Sequence, residues 1–454
     1  MAVRMGIDFF DEYILRDGFP EGFTVLVAGE PGAGKTIFGA TFLYNGMAKY
    51  GEKAIYISLA ETKEDFYEGM KGLGMNFEEM EERGLFRFVD LITLTPGAVE
   101  REIELMMTEI LSFQPKRIVI DSISSFAQLL GAEKTRMFIH TTLGRFIKSF
   151  GAVALLIAEK PLGRNEIGYG VEEFVVDGVI VLKYQRLGEI THRIMEIPKM
   201  RRRSVEKAQY EYVITEDGMH FLEIPRIDWG EEEASREKVT TGIPKLDELL
   251  DGGVYRGSVT LIVGMTGTGK TTFGLHFAIA NAMAGRKAIY VGFEEPPGQL
   301  HRAAKDYGFP IDEAMNRHLK LVGWVPEAMS PVYTFIRIKQ IIEDEKPDVL
   351  VIDGLTALRE HMDPEELAKM VRYLGLLIKK HRVATYMTLN AETSFEVVPY
   401  TKASTLSDNI IGLRYTAEDG TIKRYLAIIK ARGSNHSRKI HEYEITSKGV
   451  EIYG

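Results

Sequence analysis

The chain contains no cysteine, which excludes disulfides and thiolate metal sites and fits a reducing compartment. Asparagine and glutamine are scarce, at eight and six residues among 454. Few thermolabile amides beside 27% charged residues fit a source that lives hot. Positive charge is in deficit: 56 Lys and Arg stand against 65 Asp and Glu, a formal net charge of −9. That balance argues against a dedicated duplex-DNA binder, whose affinity depends on neutralising phosphates, although a local basic loop is compatible with it. Long hydrophobic runs are absent too. No stretch reaches the roughly 20 apolar residues of a membrane span, and the first residues lack a basic-then-apolar signal pattern. A cytoplasmic location is expected.

What is present is an apolar content of 45%, ample for two cores of about 200 residues each, and a glycine pattern written twice. Gly29-Glu30-Pro31-Gly32-Ala33-Gly34-Lys35-Thr36 and Gly264-Met265-Thr266-Gly267-Thr268-Gly269-Lys270-Thr271 both fit G-x-x-x-x-G-K-[ST]. Each follows a β-rich run and opens a long amphipathic helical pattern, the context this motif needs. In such a loop the glycines let successive N–H groups curl around a phosphate chain while the helix points its N-terminus at the anion. The expected nucleotide-binding residues are Gly32, Ala33, Gly34, Lys35, Thr36 and Ile37, and Gly267, Thr268, Gly269, Lys270, Thr271 and Thr272. Lys35 and Lys270 would reach the β- and γ-phosphates; the hydroxyls of Thr36 and Thr271 would hold Mg²⁺. Two copies in matched context argue against chance glycine turns.

The duplication extends beyond the loops. They lie 235 residues apart, Glu61 and Glu295 lie 234 apart, Asp121 and Asp353 232, and Lys199 and Lys430 231. Offsets that drift so little mean that a whole domain is repeated. The acidic stretch around Glu231-Glu232-Glu233 reads as a solvated linker, with domains expected over 1–228 and 229–454. In each half, apolar strand runs alternate with helical patterns, then give way to strands joined by short turns. The expected fold is α/β: a doubly wound, mostly parallel sheet with antiparallel hairpins added at its edge.

Acidic residues at the carboxyl ends of strands stand where open α/β sheets gather their ligands. Asp121 and Asp353 each end an apolar strand and are candidates for Mg²⁺ or its water shell; the competing reading is a helix N-cap. Glu61 in the first half and Glu294-Glu295 in the second could orient and deprotonate a water attacking the γ-phosphate. Lys199-Met200-Arg201 and Lys430-Ala431-Arg432 fall in late edge strands, too far along the chain to belong obviously to their own phosphate loop. They fit cations that complete a neighbour's site in trans, or charges that block edge aggregation.

Together with Phe293-Glu294-Glu295, Ile120-Asp121-Ser122, Tyr169-Gly170-Val171-Glu172-Glu173-Phe174 and Lys430-Ala431-Arg432-Gly433-Ser434-Asn435-His436, the loops resemble the KaiC family of tandem RecA-like clock ATPases and its archaeal relatives. The resemblance covers nearly the whole chain. It implies two RecA-like P-loop NTPase domains, a homohexameric double ring, ATP and Mg²⁺ as cofactors, nucleotide between subunits, and Lys-x-Arg pairs acting in trans. It also implies autophosphorylation of Ser404 and Thr405, with Glu294 as base and close to the metal, and an aromatic ring, Tyr307, near that base. At the matching positions the first half has Glu173 and Phe174, which accept no phosphoryl group, so kinase activity is expected only in the second half. Ala60 replaces the first glutamate of the pair, which leaves Glu61 alone. The sequence ends at Gly454 directly after a strand, so the tail through which clock members are regulated is expected to be missing.

The leading expectation is thus an ATP-binding, ATP-hydrolysing protein with Ser/Thr autokinase activity in its second domain, self-association into a ring and room for an unidentified protein partner. Two other classes share the core: a nucleic-acid-dependent ATPase of the RecA, RadA or DnaB kind, and a nucleotide-switched scaffold.

Overall fold

The computed structural model describes residues 2–59, 61–91, 99–160, 175–187, 190–205, 207–223, 235–325, 329–360, 364–390, 407–418 and 420–453. Ala60, Tyr169 to Phe174, Ser404 and Thr405 lie outside them. The chain divides into two compact units, Met1–Glu223 and Ile224–Gly454.

The first unit opens with a short antiparallel pair, Ala2–Val3 (β1) and Phe19–Pro20 (β2). Its sheet is built from Thr24–Gly29 (β3), Ala54–Ser58 (β4), Phe86–Asp90 (β5), Arg117–Asp121 (β6), Val153–Glu159 (β7), Gly178–Leu187 (β8), Ile190–Met200 (β9), Gln209–Thr215 (β10) and Gly218–Phe221 (β11). The order is β11-β10-β9-β8-β3-β7-β6-β4-β5. From β5 to β8 every pairing is parallel, and from β8 to β11 every pairing is antiparallel. β3 and β4 are buried along their whole length, as apolar strands covered by helices on both faces must be.

The second unit repeats this plan. Lys238–Val239 (β12) pairs with Val254–Tyr255 (β13). The sheet comprises Val259–Gly264 (β14), Ala288–Gly292 (β15), Leu319–Gly323 (β16), Val349–Asp353 (β17), Ala384–Asn390 (β18), Asn409–Glu418 (β19), Thr421–Ala431 (β20), Ile440–Thr446 (β21) and Gly449–Ile452 (β22). Its order, β16-β15-β17-β18-β14-β19-β20-β21-β22, matches that of the first sheet strand for strand. In both units the central strand leads straight into the glycine loop and a long helix, Lys35–Tyr50 or Lys270–Met283.

The Lys-x-Arg strands are not edge strands, against the expectation. β9 and β20 are interior to the antiparallel extension, because two further strands cover each of them. Both also carry a register shift, between Val179 and Val181 on β8·β9 and between Ile410 and Ile411 on β19·β20. Such a bulge re-aims the side chains beside it, and here those are Lys199, opposite Val179, and Lys430, opposite Ile410. Among the described residues no helix is long and apolar enough to cross a membrane.

Candidate functional site

Each phosphate loop joins a buried strand to a helix through two left-handed glycines. Gly32 and Gly34 have φ of 79° and 88°, and Gly267 and Gly269 both have 85°, a region L side chains reach only under strain. Close packing fixes the same choice: a Cβ on Gly34 would sit 2.5 Å from Ile214 Cδ1, and one on Gly269 2.4 Å from Ile445 Cδ1. Gly34 and Gly269 are the N-caps of their helices, so the free N–H groups of each first turn open onto the loop.

Lys35 Nζ donates to the Glu30 carbonyl at 3.1 Å, and Lys270 Nζ to the carbonyls of Gly264 and Met265 at 3.0 and 2.9 Å. Burial pushes both ammonium groups below the usual lysine range, while carboxylates pull them back: Asp121, Glu159 and Glu30 for Lys35, Glu294 and Asp353 for Lys270. Thr36 Oγ1 and Tyr56 OH both donate to Asp121 Oδ2 at 2.7 Å. Burial raises the Asp121 carboxyl, and these hydroxyls and Lys35 act against it. In the second unit the donors to Asp353 are Tyr290, to Oδ2 at 2.5 Å, and Thr388, to Oδ1.

The attacking-water candidates lie on the same edge. The Glu61 backbone is clamped to Ser58 Oγ, and burial followed by the charges of Asp121 and Asp65 raises its carboxyl. Glu295 is raised by burial and then by Asp353. Glu294 lies over Gly354, where a Cβ would meet its Oε1 at 2.4 Å. The structure therefore brings Lys35, Thr36, Asp121 and Glu61 together in one unit, and Lys270, Asp353, Glu294 and Glu295 in the other. Tyr307 caps the helix Pro297–Asp306 and packs on Phe309, with ring centroids 5.8 Å apart.

The Lys-x-Arg pairs sit elsewhere. Arg201 NH1 donates to Asp177 Oδ1 at 3.3 Å, and the other oxygen of Asp177 accepts from the N–H of Thr24, the first residue of β3. Arg432 NH1 likewise donates to Asp408 Oδ1 at 3.4 Å, and Asp408 Oδ2 accepts from Val259 N–H. Lys430 Nζ donates to the Ser407 carbonyl at 2.6 Å. These contacts hold both arginines at the amino end of the central strand, opposite their own phosphate loop. Their side chains are 54% and 55% exposed.

Sequence reasoning overlooked several residues that the fold brings to the loops. Tyr212 OH donates to the Ala33 carbonyl and Tyr443 OH to that of Thr268; Arg193 Nε reaches Gly32 O at 3.4 Å and Arg424 Nε reaches Gly267 O at 3.3 Å. Both pairs recur at the 231-residue offset of the Lys-x-Arg motifs, and that recurrence was the available signal.

A glycine loop between a central parallel strand and its helix, with a carboxylate at a neighbouring strand end, in a sheet of this order and twice over, defines a tandem of RecA-like P-loop NTPase domains. A family model described as "ATPase: KaiC" matches residues 3–226 and again 239–454. The circadian clock oscillator protein KaiC of Parathermosynechococcus lividus is 31% identical over 465 residues, spanning 99% of this chain and 85% of that protein. The KaiC of Synechococcus elongatus is 30% identical, spanning 99% and 88%, and the circadian clock protein KaiC3 of Synechocystis sp. is 29% identical, spanning 99% and 91%. The chain belongs to the KaiC ATPase family and is an ATP-binding P-loop ATPase.

Proposed function

We propose that this protein is a ring-forming ATPase whose two domains each hydrolyse ATP bound between subunits, and that the second domain also phosphorylates its own Ser404 and Thr405. The position of Arg201 and Arg432 carries this reading. β3 and β14 are six residues long, so each arginine is about 17 Å along the strand from its own glycine loop. Exposed cations so placed are out of reach of the loop in their own unit, and a ring of identical head-to-tail contacts would supply one at every loop.

In each domain the loop N–H groups and Lys35 or Lys270 hold the β- and γ-phosphates. Thr36 with Asp121, and Thr271 with Asp353 and Glu294, suit a hard cation that prefers oxygen donors, and Mg²⁺ held there would neutralise phosphate charge. Glu61, or Glu294 and Glu295, orients the water and takes up its proton. The borrowed Lys-x-Arg pair stabilises the charge that develops on the γ-phosphoryl group. For autophosphorylation, Glu294 accepts the proton of the Ser404 or Thr405 hydroxyl instead. Domain boundaries at 1–228 and 229–454 and a hexameric ring complete the proposal.

Mass in solution with and without ATP tests the ring, and a mass that stays monomeric under both conditions rejects it. Incubation with γ-labelled ATP tests the kinase. Label should enter the wild type and be lost from the Ser404→Ala/Thr405→Ala chain, and an unlabelled wild type rejects the kinase while leaving the ATPase standing.

A further inference from the structure

The duplicated framework exposes a difference in charge between the two phosphate sites. At the carboxyl end of β7, Glu159 is paired in register with Gly29, the first glycine of the loop. The Glu159 N–H donates to Ser124 Oγ at 3.0 Å, and the N–H of Lys160 donates to the Gly29 carbonyl at 3.0 Å. Its backbone is thus fixed against the loop, its side chain is exposed, and its charge acts on both Lys35 and Asp121. The neighbouring cation, Lys160, acts on Glu196 of β9, which is already paired with Lys183 at 2.6 Å.

In the second unit the residue in register with Gly264 is Asn390, whose N–H donates to Thr356 Oγ1 at 2.7 Å. The register and the N–H bond to a hydroxyl are the same, and the charge is gone. Glu30, which also acts on Lys35, is replaced by Met265. Three carboxylates therefore bear on Lys35, namely Asp121, Glu159 and Glu30, whereas Glu294 and Asp353 bear on Lys270. A triphosphate carrying up to about four negative charges meets more repulsion at the first loop, and a divalent cation bound with it would offset that repulsion.

We propose that Glu159 is a further nucleotide-site residue of the first unit and that, with Glu30, it makes ATP loading there depend on divalent cation more steeply than in the second unit. This rests on the reading of the glycine loops as ATP sites. The reason is electrostatic: the added carboxylates oppose the free anion more than the magnesium complex, whose charge is smaller.

The test uses the full chain and a fluorescent ATP analogue, with free Mg²⁺ varied from chelator-buffered to millimolar. Lys270→Ala confines binding to the first unit and Lys35→Ala to the second. Removing Mg²⁺ should weaken first-unit binding about tenfold more than second-unit binding. Glu159→Asn with Glu30→Met should restore most of that loss, and Asn390→Glu should impose a similar loss on the second unit. Equal Mg²⁺ dependence of the two units, or no effect of the Glu159 and Glu30 exchange in a protein with wild-type thermal unfolding, overturns the inference. Absence of binding to the Lys270→Ala chain at every Mg²⁺ concentration overturns the nucleotide reading of the first loop, and the inference falls with it.

Discussion

Tyr443 donates its phenolic hydrogen to the carbonyl oxygen of Thr268 at 2.6 Å. The donor lies on β21, in the antiparallel extension, and the acceptor is inside the glycine loop, so the hairpins added to the sheet brace the phosphate site from beneath. Ile445, two residues on and facing the same side, fills the space that a side chain at position 269 would need. Tyr443→Phe keeps the ring and its edge contact with Phe273 and removes only the hydroxyl. It should destabilise the second unit by about 1–2 kcal/mol, since a buried carbonyl loses its donor, and weaken ATP binding several-fold as the loop loses its preset shape. Thermal unfolding and nucleotide titration read the two effects, and wild-type affinity in the variant would show that the brace serves packing alone.

The glycine loops were legible because backbone curvature around a phosphate demands particular residues at particular spacings. Asp121 and Asp353 were legible because each closes an apolar strand. The braces were not: Tyr212 and Tyr443 are aromatic residues in late strands, and such residues read as core until the register places them under a loop. The outermost parallel strands were also hidden. Phe86–Asp90 and Leu319–Gly323 have five residues each, with Arg87 and Lys320 among them, and a pattern so short does not separate a strand from a turn. The placing of Lys199 and Lys430 beside bulges depends on pairing, which local sequence does not encode.

Arg117 is buried with no exposed surface, bonded to Glu52 Oε2 at 2.6 Å and to the carbonyls of Arg4 and Phe42 at 2.6 and 2.8 Å. Gly46 makes room for it, since a Cβ there would lie 1.9 Å from Arg117 Nε. The second unit solves the same packing problem without a charge: the position matching Gly46 is Asn281, which bonds the Phe277 carbonyl at 2.8 Å, and the one matching Arg117 is Val349. Arg117→Ala takes this donor from the buried Phe42 carbonyl, from the Arg4 carbonyl and from Glu52, and should destabilise the first unit by about 3–5 kcal/mol. Hydrogen exchange resolved by unit should show β3 to β8 losing protection while β14 to β19 keep theirs; equal loss in both would contradict the assignment.

His276 is held neutral in the second unit. Its Nε2 accepts from Val450 N–H at 2.9 Å, its ring stands edge-on to Phe309 at 4.5 Å, and burial pushes its pKa down to about 4, against a backbone hydrogen bond with Gly242. In the unfolded chain the imidazole titrates near 6.5. As pH falls from 6.5 towards 4 the unfolded state binds a proton that the folded state does not, so stability is lost across that window. The slope approaches about 1.4 kcal/mol per pH unit in its middle. His276→Gln keeps an acceptor for Val450 and should flatten this part of the profile in denaturant unfolding. An unchanged slope would assign the acid sensitivity to other groups.

The trans role proposed for Arg432 can be separated from a structural one by complementation. In its own chain Arg432 bonds to Asp408, which Lys379 also approaches at 3.3 Å, so Arg432→Ala leaves Asp408 another cation and the fold should persist. With the first loop silenced by Lys35→Ala in every chain, Arg432→Ala should lower second-domain turnover by about a thousandfold, and Lys270→Ala should abolish it by removing the phosphate contact. Neither chain alone can form a competent site. Mixed in equal amounts and reassembled with ATP, about a quarter of neighbouring pairs would join an intact loop to an intact arginine if the ring is head-to-tail. Turnover should therefore return to roughly a quarter of the value for the Lys35→Ala chain carrying neither change. A mixture no more active than its components would mean that Arg432 acts within its own chain, and the ring mechanism would then lose its chemical basis.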